Sequence, residues 1–213
     1  EVRWYIKTVL FFTTVITIGL MCTSSLNLEE AFRKSSFLVV SLQTTCGYVT
    51  DDYMLWAPPL WMLTTIITYC GACAGSTSGG TKCIRAVIMA RIAKNEFKQI
   101  IHPNAVLPVK VNKVSVSSTT KSTVLAYFVV FVLLVFIGWF TMMCIGLNFD
   151  DAYSVVISSL ANVGPGIGMC GPAFSWNALP DAAKWLSIGY MLIGRLELFT
   201  VLLLLSPTFW RKK

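Results

Sequence analysis

Residues 29–49 read EEAFRKSSFLVVSLQTTCGYV, and residues 150–168 read DDAYSVVISSLANVGPGIG. Each stretch begins with two acidic residues, an alanine and an aromatic residue, continues through a short apolar segment and ends in a tract that contains glycine. Acidic residues stabilise the first turn of a helix because they face the positive end of its dipole. Each stretch therefore predicts a short helix followed by an irregular loop, and the pair predicts an internal repeat, as in many transport proteins.

Long apolar runs flank both stretches. Three of them carry no charge, and the fourth carries only one Arg and one Glu: residues 8–26, 53–74, 122–148 and 185–205. The chain has 213 residues, of which 55% are hydrophobic and only 13% are charged. A soluble domain of this size has about 25% charged residues. The composition therefore predicts an all-α membrane protein in which these four runs cross the bilayer.

The two short segments, residues 33–43 and 154–161, are too short to cross a bilayer and are predicted to be re-entrant pore helices. The backbone after each then leaves the helix at membrane depth, which is tolerable where it lines a water-filled path or is buried in protein. The predicted unit is a span, a pore helix, a loop and a span. Residues 1–100 form the first unit, with an interrupted second span, residues 101–121 a basic cytoplasmic linker, and residues 122–213 the second unit.

Basic residues are unevenly divided between the two predicted sides of the membrane. If the chain starts in the cytoplasm, three Lys and Arg lie outside: Arg33, Lys34 and Lys184. Twelve lie inside: Arg3, Lys7, Arg85, Arg91, Lys94, Lys98, Lys110, Lys113, Lys121, Arg211, Lys212 and Lys213. This excess predicts a multi-pass protein with both ends of this chain in the cytoplasm. The net charge of +7 is therefore explained by contact with the membrane and its lipids, and no nucleic-acid partner is expected.

Two candidate ion-binding tracts follow the short helices. They comprise Thr45, Cys46, Gly47 and Tyr48 in the first and Asn162, Val163, Gly164 and Pro165 in the second. A potassium filter replaces the hydration shell of the ion with backbone carbonyl oxygens, and glycine adopts the unusual dihedral angles that such a backbone requires. The alternative is that both tracts are ordinary turns. Two such tracts, each after a matched short helix, favour a filter that binds K⁺ and no other metal.

A second tract of small residues interrupts the predicted second span. Residues 71–80 consist only of Gly, Ala, Cys, Ser and Thr, which have weak helix propensity and little bulk. They precede a predicted helix at residues 81–100 and an irregular linker. The alternatives are a flexible kink or a phosphate loop, but Thr81 displaces Lys82 by one position from that motif and no strand precedes it. Cys70 and Cys73 form a C-x-x-C motif, for which small-residue packing is favoured over redox or metal chemistry.

Arg195 lies in the middle of the fourth apolar run, where an unpaired charge is costly. Glu197 is only two residues further on and therefore lies on a different face of a helix. Arg195 is expected to face the pore or to find a partner elsewhere, such as exposed loop carbonyls. The alternative is that Arg195 forms a structural Arg–Glu pair with a neighbouring span. Lys82 could take either of these two roles.

Several separated motifs make the chain resemble the Trk/Ktr/HKT superfamily of potassium transporters, and within it the bacterial TrkH-type uptake subunits. The resemblance runs nearly from end to end. The motifs are Ser41 to Tyr48, GACAGSTSGGTK at 71–82, Ala161 to Gly168, GRLE at 194–197 and SPTFW at 206–210.

The resemblance implies four span–pore–span repeats around one pore, of which this chain matches the third and fourth. It assigns the two candidate tracts to the third and fourth filter strands. It assigns an intramembrane gate to the small-residue tract with two basic residues: Gly71, Gly75, Ser76, Thr77, Ser78, Gly79, Gly80, Lys82 and Arg195. It also implies an N-terminal half of the same subunit, a homodimer in the bacterial inner membrane, and a cytoplasmic nucleotide-binding regulatory subunit of the TrkA/KtrA type. No covalently bound cofactor is implied.

Three other functions stay open from the residues alone. Sodium, or sodium with potassium, could pass through the same architecture, either passively or coupled to another ion. An intramembrane hydrolase with Ser76 or Ser78 as nucleophile needs a nearby base, but the one histidine, His102, lies in the predicted cytoplasmic linker. A membrane scaffold leaves the paired loops unexplained. Ion transport without enzymatic activity is therefore the favoured interpretation.

Overall fold

A computed structural model describes residues 1–24, 26–76, 78–102, 107–111, 114–205 and 207–210. Within these residues the chain is mostly helical. The helices are α1 (Val2–Thr23), α2 (Leu28–Gln43), α3 (Pro58–Tyr69), α4 (Cys83–Ile101), α5 (Ser118–Ile145), α6 (Phe149–Ala161), α7 (Asp181–Arg195), α8 (Leu198–Leu205) and α9 (Pro207–Trp210). Five residues named in the sequence-based predictions, and one end of a motif, lie outside the described residues: Thr77, Lys113, Arg211, Lys212, Lys213 and Ser206.

The first half of the chain, residues 1–102, is built on two antiparallel helices. Helix α1 has 22 residues, and α2 packs along it with Glu29 and Glu30 in its first turn. Ile16 and Leu20 of α1 are fully buried, and a buried hydrogen bond of 2.6 Å joins Thr17 Oγ1 and Ser35 Oγ of α2. The acidic pair therefore begins a short helix, as the sequence predicts.

The second half, residues 114–210, has the same order of elements. Helix α5 has 28 residues and ends at Gly146, whose φ of +106° reverses the chain into α6. Helix α6 carries Asp150 and Asp151 in its first turn, and its 13 residues lie in the centre of the half between α5 and α7. Val155, Val156 and Leu160 of α6 are completely buried. The second short helix is thus the core element of its half.

Two of the four predicted spans differ from the structure. Helices Val2–Thr23 and Ser118–Ile145 are long and apolar enough to cross a membrane. The predicted second span, residues 53–74 with an interruption that begins at residue 71, contains an α-helix of only 12 residues, Pro58–Tyr69. The predicted span at 185–205 is also not straight: α7 and α8 are bent by 113°, at a break where Glu197 has a φ of +68°.

The connection between the halves is partly as predicted. The predicted helix at 81–100 is confirmed as α4, Cys83–Ile101. The linker, which was expected to be irregular, contains two short antiparallel strands, β1 (Lys110–Val111) and β2 (Val114–Ser115). The halves also meet away from this linker, because Ala161 and Val163 of the second half are buried in the core of the first.

Candidate functional site

The first candidate loop, residues 44–50, turns sharply at the end of α2. Thr45 has a left-handed φ of +57° and Gly47 a φ of +79°. The amide of Cys46 donates to the Ser41 carbonyl oxygen at 2.9 Å, which folds the loop back onto the last turn of α2. The hydroxyl of Ser41 donates to the Tyr48 carbonyl oxygen at 2.6 Å. One serine of α2 therefore fixes both sides of Gly47.

The second candidate loop, residues 162–167, turns in the same way at the end of α6. Asn162 has a φ of +55° and Gly164 a φ of +106°. The amide of Val163 donates to the Ser158 carbonyl oxygen at 3.2 Å. The hydroxyl of Ser158 accepts from the Gly164 amide at 3.2 Å and is within 2.8 Å of the Gly164 carbonyl oxygen.

The two loops correspond residue by residue. A serine lies six residues before each glycine, and its carbonyl accepts from the amide five residues further on. A non-glycine residue with left-handed φ lies two positions before each glycine. This common pattern aligns Thr45 with Asn162 and Gly47 with Gly164.

Carbonyl groups in both loops have no hydrogen-bond partner within the described chain. In the first loop these include Thr45 and Cys46, and in the second Asn162 and Val163. The Tyr48 carbonyl in the first loop and the Gly164 carbonyl in the second accept from serine hydroxyls instead. Each loop thus leaves acceptor oxygens available beside its helix end, and those oxygens can satisfy a desolvated cation.

The loops also touch each other. A Cβ added to Gly47 would overlap the Val163 carbonyl oxygen and lie 3.1 Å from Cδ of Pro165. Both the left-handed dihedral angle and this close approach therefore require a glycine at position 47. The structure thereby places two of the predicted filter residues, one from each half, in direct contact.

The second loop has further supports behind it. The Ser154 hydroxyl accepts from the Ile167 amide at 2.5 Å, and Asp151 Oδ1 accepts from the Met169 amide at 2.7 Å. The buried Tyr53 hydroxyl, from the first half, donates to the Gly166 carbonyl oxygen at 2.5 Å. Sequence reasoning missed these residues, and only the DD pair that contains Asp151 gave a signal.

The small-residue loop between α3 and α4 closes on itself at its base. The Gly71 amide donates to the Thr81 carbonyl oxygen at 2.9 Å, and the Cys83 amide donates to the Ala72 carbonyl oxygen at 3.0 Å. A Cβ added to Gly79 would overlap the Ala161 carbonyl oxygen at the end of α6. The loop is therefore closed at its base and touches the helix that carries the second candidate loop.

The other predicted gate residues are divided between this base and the tip. Gly80 accepts a 3.3 Å hydrogen bond from the Tyr127 hydroxyl of α5. Ser76 accepts from the Ser78 amide at 3.2 Å, whereas a Cβ on Gly75 would meet no atom of the described residues within 4 Å. The segment that returns to α4, residues 79–82, is packed against α5 and α6 through Gly79 and Gly80.

A charged cluster lies next to this loop. Glu197 accepts from Lys82 Nζ at 2.8 Å and from Arg85 Nη2 at 2.6 Å. The Arg85 guanidinium also lies 4.1 Å above the ring of Tyr127. The break between α7 and α8 is therefore tied to the start of α4. Sequence reasoning missed Glu197 and Arg85 as a pair, although an acid within an apolar run signals a buried partner.

Arg195 lines a small polar cleft beside the cluster. The cleft has a volume of about 60 Å³, and Ser76, Ser78 and Lys82 also line it. Arg195, in the last turn of α7, therefore shares one cleft with predicted gate residues of the small-residue loop and with Lys82. The helix before the bend is close as well, since a Cβ on Gly194 would overlap the Leu160 carbonyl oxygen of α6. The hydrogen-bond partner that the sequence suggests for Arg195 stays a prediction.

Comparison with known proteins gives a consistent set of relatives. The model of a family described as "TrkH: Cation transport protein" matches residues 3–212. Over 198 residues the chain is 37% identical to the Trk system potassium uptake protein TrkH of Halomonas elongata, covering 93% of this chain and 41% of that protein. It is 35% identical to TrkH of Escherichia coli K12, covering 96% and 40%, and 31% identical to TrkG of that strain, covering 99% and 43%.

Among solved structures, the chain is similar to the crystal structure of the potassium transporter TrkH from Vibrio parahaemolyticus. The TM-score is 0.91 at 34% sequence identity, and the match covers 98% of this chain and 44% of that one. The chain therefore spans less than half the length of the relatives it matches.

Proposed function

This chain belongs to the TrkH family of cation transport proteins, and from that membership we propose that it supplies two quarters of the pore of a potassium uptake transporter. Its two halves are the third and fourth span–pore–span repeats, residues 1–100 and 122–213, joined by a cytoplasmic linker. The observation that carries the proposal is the pair of equivalent loops, which present unpartnered carbonyl groups and touch through Gly47 and the Val163 carbonyl oxygen.

The proposed filter consists of residues 45–48 and 162–165. A potassium ion loses its hydration shell between the loops, and carbonyl oxygens at the ends of α2 and α6 replace the lost water. The C-terminal end of each short helix carries partial negative charge, which favours a cation at that depth. Acidic residues at the outer ends of both helices raise the local cation concentration, an effect that salt weakens.

The proposed gate is the small-residue loop together with Lys82 and Arg195. It lies on the side of α6 where the second filter loop begins, as the contact between Gly79 and Ala161 supports. The ion pairs of Glu197 with Lys82 and Arg85 connect the end of the loop and the start of α4 to the α7–α8 bend. A movement of α4 would therefore reach the gate directly, because Lys82 ends the loop and Arg85 lies in the first turn of α4.

The proposal includes the partners that the complete transporter requires. An N-terminal half of the same subunit closes the ring of four loops, and the subunit is a homodimer in the bacterial inner membrane with both ends of this chain in the cytoplasm. A nucleotide-binding regulatory subunit of the TrkA/KtrA type docks on the basic surface of α4 and the linker, residues 85–121.

The proposal can be tested by ion uptake through the full-length protein that contains this chain. Reconstituted vesicles should accumulate Rb⁺ or K⁺ in preference to Na⁺. Gly164→Ala should reduce uptake or the preference for potassium. Gly146→Ala is a matched control, because both glycines have a φ of +106° and no atom of the described residues lies within 4 Å of the added Cβ, but Gly146 lies between α5 and α6. Equal Na⁺ and K⁺ uptake by the unmodified protein would contradict potassium transport.

A further inference from the structure

Tyr53 connects the first half of the chain to the second candidate loop. It lies in the 3₁₀ turn Tyr53–Leu55, and its side chain is only 1% exposed. Its hydroxyl reaches the Gly166 carbonyl oxygen, 113 positions further along the chain. The ring packs edge to face with Trp56 at a centroid distance of 6.4 Å. Asp52 caps the turn by accepting from the Met54 amide at 3.0 Å. The hydroxyl is therefore held in place by a buried ring on a capped turn.

A small cavity adjoins this hydrogen bond. Its volume is about 20 Å³, and one water molecule requires roughly 10–15 Å³. The walls include the polar side chains or backbone of Tyr53, Thr64, Thr65, Ser154, Ser158 and Gly166. These groups supply donors and acceptors on several sides, which is the environment that a buried water molecule needs.

Thr65 of α3 contributes a wall hydroxyl that has no hydrogen-bond partner in the described part of the chain. The residue is 9% exposed, and its Oγ1 has no hydrogen-bond partner among the described residues. The neighbouring Thr64 and Thr68 hydroxyls both donate to helix carbonyls at 2.6 Å. A buried hydroxyl without a partner destabilises the fold. A water molecule in the cavity would satisfy the Thr65 hydroxyl.

We infer that Tyr53 and Thr65 are positioning residues for the second filter loop, Tyr53 through its direct hydrogen bond to Gly166 and Thr65 through one water molecule bound in this cavity. The inference rests on the proposed function of the loop as a potassium filter. The bond from Tyr53 to the Gly166 carbonyl fixes the peptide plane between Gly166 and Ile167. With Ser158 holding the Gly164 carbonyl, this sets the direction of the unpartnered Asn162 and Val163 carbonyl groups.

The inference predicts that ion selectivity depends on a hydroxyl group in the first half of the chain. Tyr53→Phe removes the hydroxyl and keeps the ring. Tyr190→Phe is the matched control, because the Tyr190 hydroxyl also donates to a backbone carbonyl at 2.9 Å, but that carbonyl belongs to Leu134 of α5 and to neither loop. In bilayers that contain the full-length protein, the K⁺/Na⁺ permeability ratio should fall about fivefold in Tyr53→Phe and stay unchanged in Tyr190→Phe.

A second pair of variants tests the water-mediated part. Thr65→Val removes the hydroxyl at nearly constant shape, whereas Thr65→Ser keeps it. Thr65→Val should lower the permeability ratio and Thr65→Ser should restore it, and a high-resolution map of the full-length protein should show one water molecule in the cavity that Thr65→Val lacks.

The outcomes separate this inference from the proposed function. If the unmodified protein prefers potassium but Tyr53→Phe and Tyr190→Phe both retain its permeability ratio, the role of Tyr53 is overturned. If Thr65→Val matches the unmodified protein and the map shows no water, the role of Thr65 is overturned. If the unmodified protein itself shows no potassium preference, the proposed function fails whatever the variants do. Should Tyr53→Phe fail to fold, the Thr65 pair still decides the question.

Discussion

The two candidate loops share one turn geometry but differ in how they are held. The first loop has one side-chain anchor to its backbone, the bond from Ser41 to the Tyr48 carbonyl, and Tyr48 is 72% exposed. The second loop is held by side chains from α6 and from the other half, and Val163 is 4% exposed. The turn is therefore encoded locally by the helix end and the glycine, whereas rigidity is supplied by more distant packing.

This difference fits the position of each loop in the proposed pore. The second loop contacts both halves of this chain, because Tyr53 of the first half and Ser158 of the second bind its backbone. The first loop has an open face toward Cys46 and Tyr48, beside a broad cleft lined by Phe37 and Val40 of α2. We expect the N-terminal half of the subunit to cover that face.

The largest expected effect comes from the point where the loops touch. Gly47→Ala adds a Cβ at left-handed φ, which costs about 1–2 kcal/mol, and places it on the Val163 carbonyl oxygen. Uptake of Rb⁺ by the full-length protein should therefore fall roughly tenfold or more. Gly146→Ala, with the same kind of backbone strain at a distance, should retain uptake. Equal losses would mean that strain alone, and not loop contact, matters.

The equivalent serines should differ in importance. Ser158→Ala breaks the hydroxyl's contacts with the amide and carbonyl of Gly164, whereas Ser41→Ala removes only the bond to the Tyr48 carbonyl. At about 1 kcal/mol per hydrogen bond, we expect Ser158→Ala to lower the thermal stability and the K⁺/Na⁺ permeability ratio more than Ser41→Ala. The reverse order would contradict the conclusion that the second loop is the better supported.

The equivalent acids at the helix starts give a smaller contrast. Asp151 Oδ1 binds the Met169 amide and is buried, whereas Glu30 pairs with Lys34 at 3.1 Å near the surface. Asp151→Asn should lower the free energy of unfolding by about 1–2 kcal/mol, and Glu30→Gln by about 0–1 kcal/mol. Thermal unfolding of the full-length protein in detergent measures both, and equal effects would remove the distinction.

The smallest expected effect is on the reactivity of two cysteine thiols, with no change in transport activity. Burial, with the nearby Asp151 carboxylate adding to it, raises the pKa of the Cys170 thiol to about 12. Because the thiolate is the reactive form, Cys170 should resist maleimide labelling at pH 8.

Cys46 is exposed in this chain, and the N-terminal half should shield it. Labelling of Cys46 in the full-length protein can be followed by mass spectrometry. Rapid labelling would contradict the expectation that the N-terminal half shields Cys46.

The sequence predicts local features well because their causes are local. Acidic pairs mark the starts of α2 and α6, and a tract that contains glycine follows each helix. It does not predict the bend at Glu197, since an apolar run reads alike whether the helix is straight or bent. Nor does it predict the bond from Tyr53 to Gly166 or the pairing of Arg85 with Glu197, because residues more than a hundred positions apart meet only through the complete fold.

The central claim is that the two loops form part of one potassium filter. The most direct measurement is an anomalous-scattering or cryo-electron microscopy map of the full-length protein in Rb⁺ or Tl⁺. The proposal predicts ion density in contact with backbone carbonyl oxygens from both residues 45–47 and residues 162–164, which weakens when Na⁺ replaces the heavier ion. Ion density elsewhere in the pore, with none between these two segments, would contradict it.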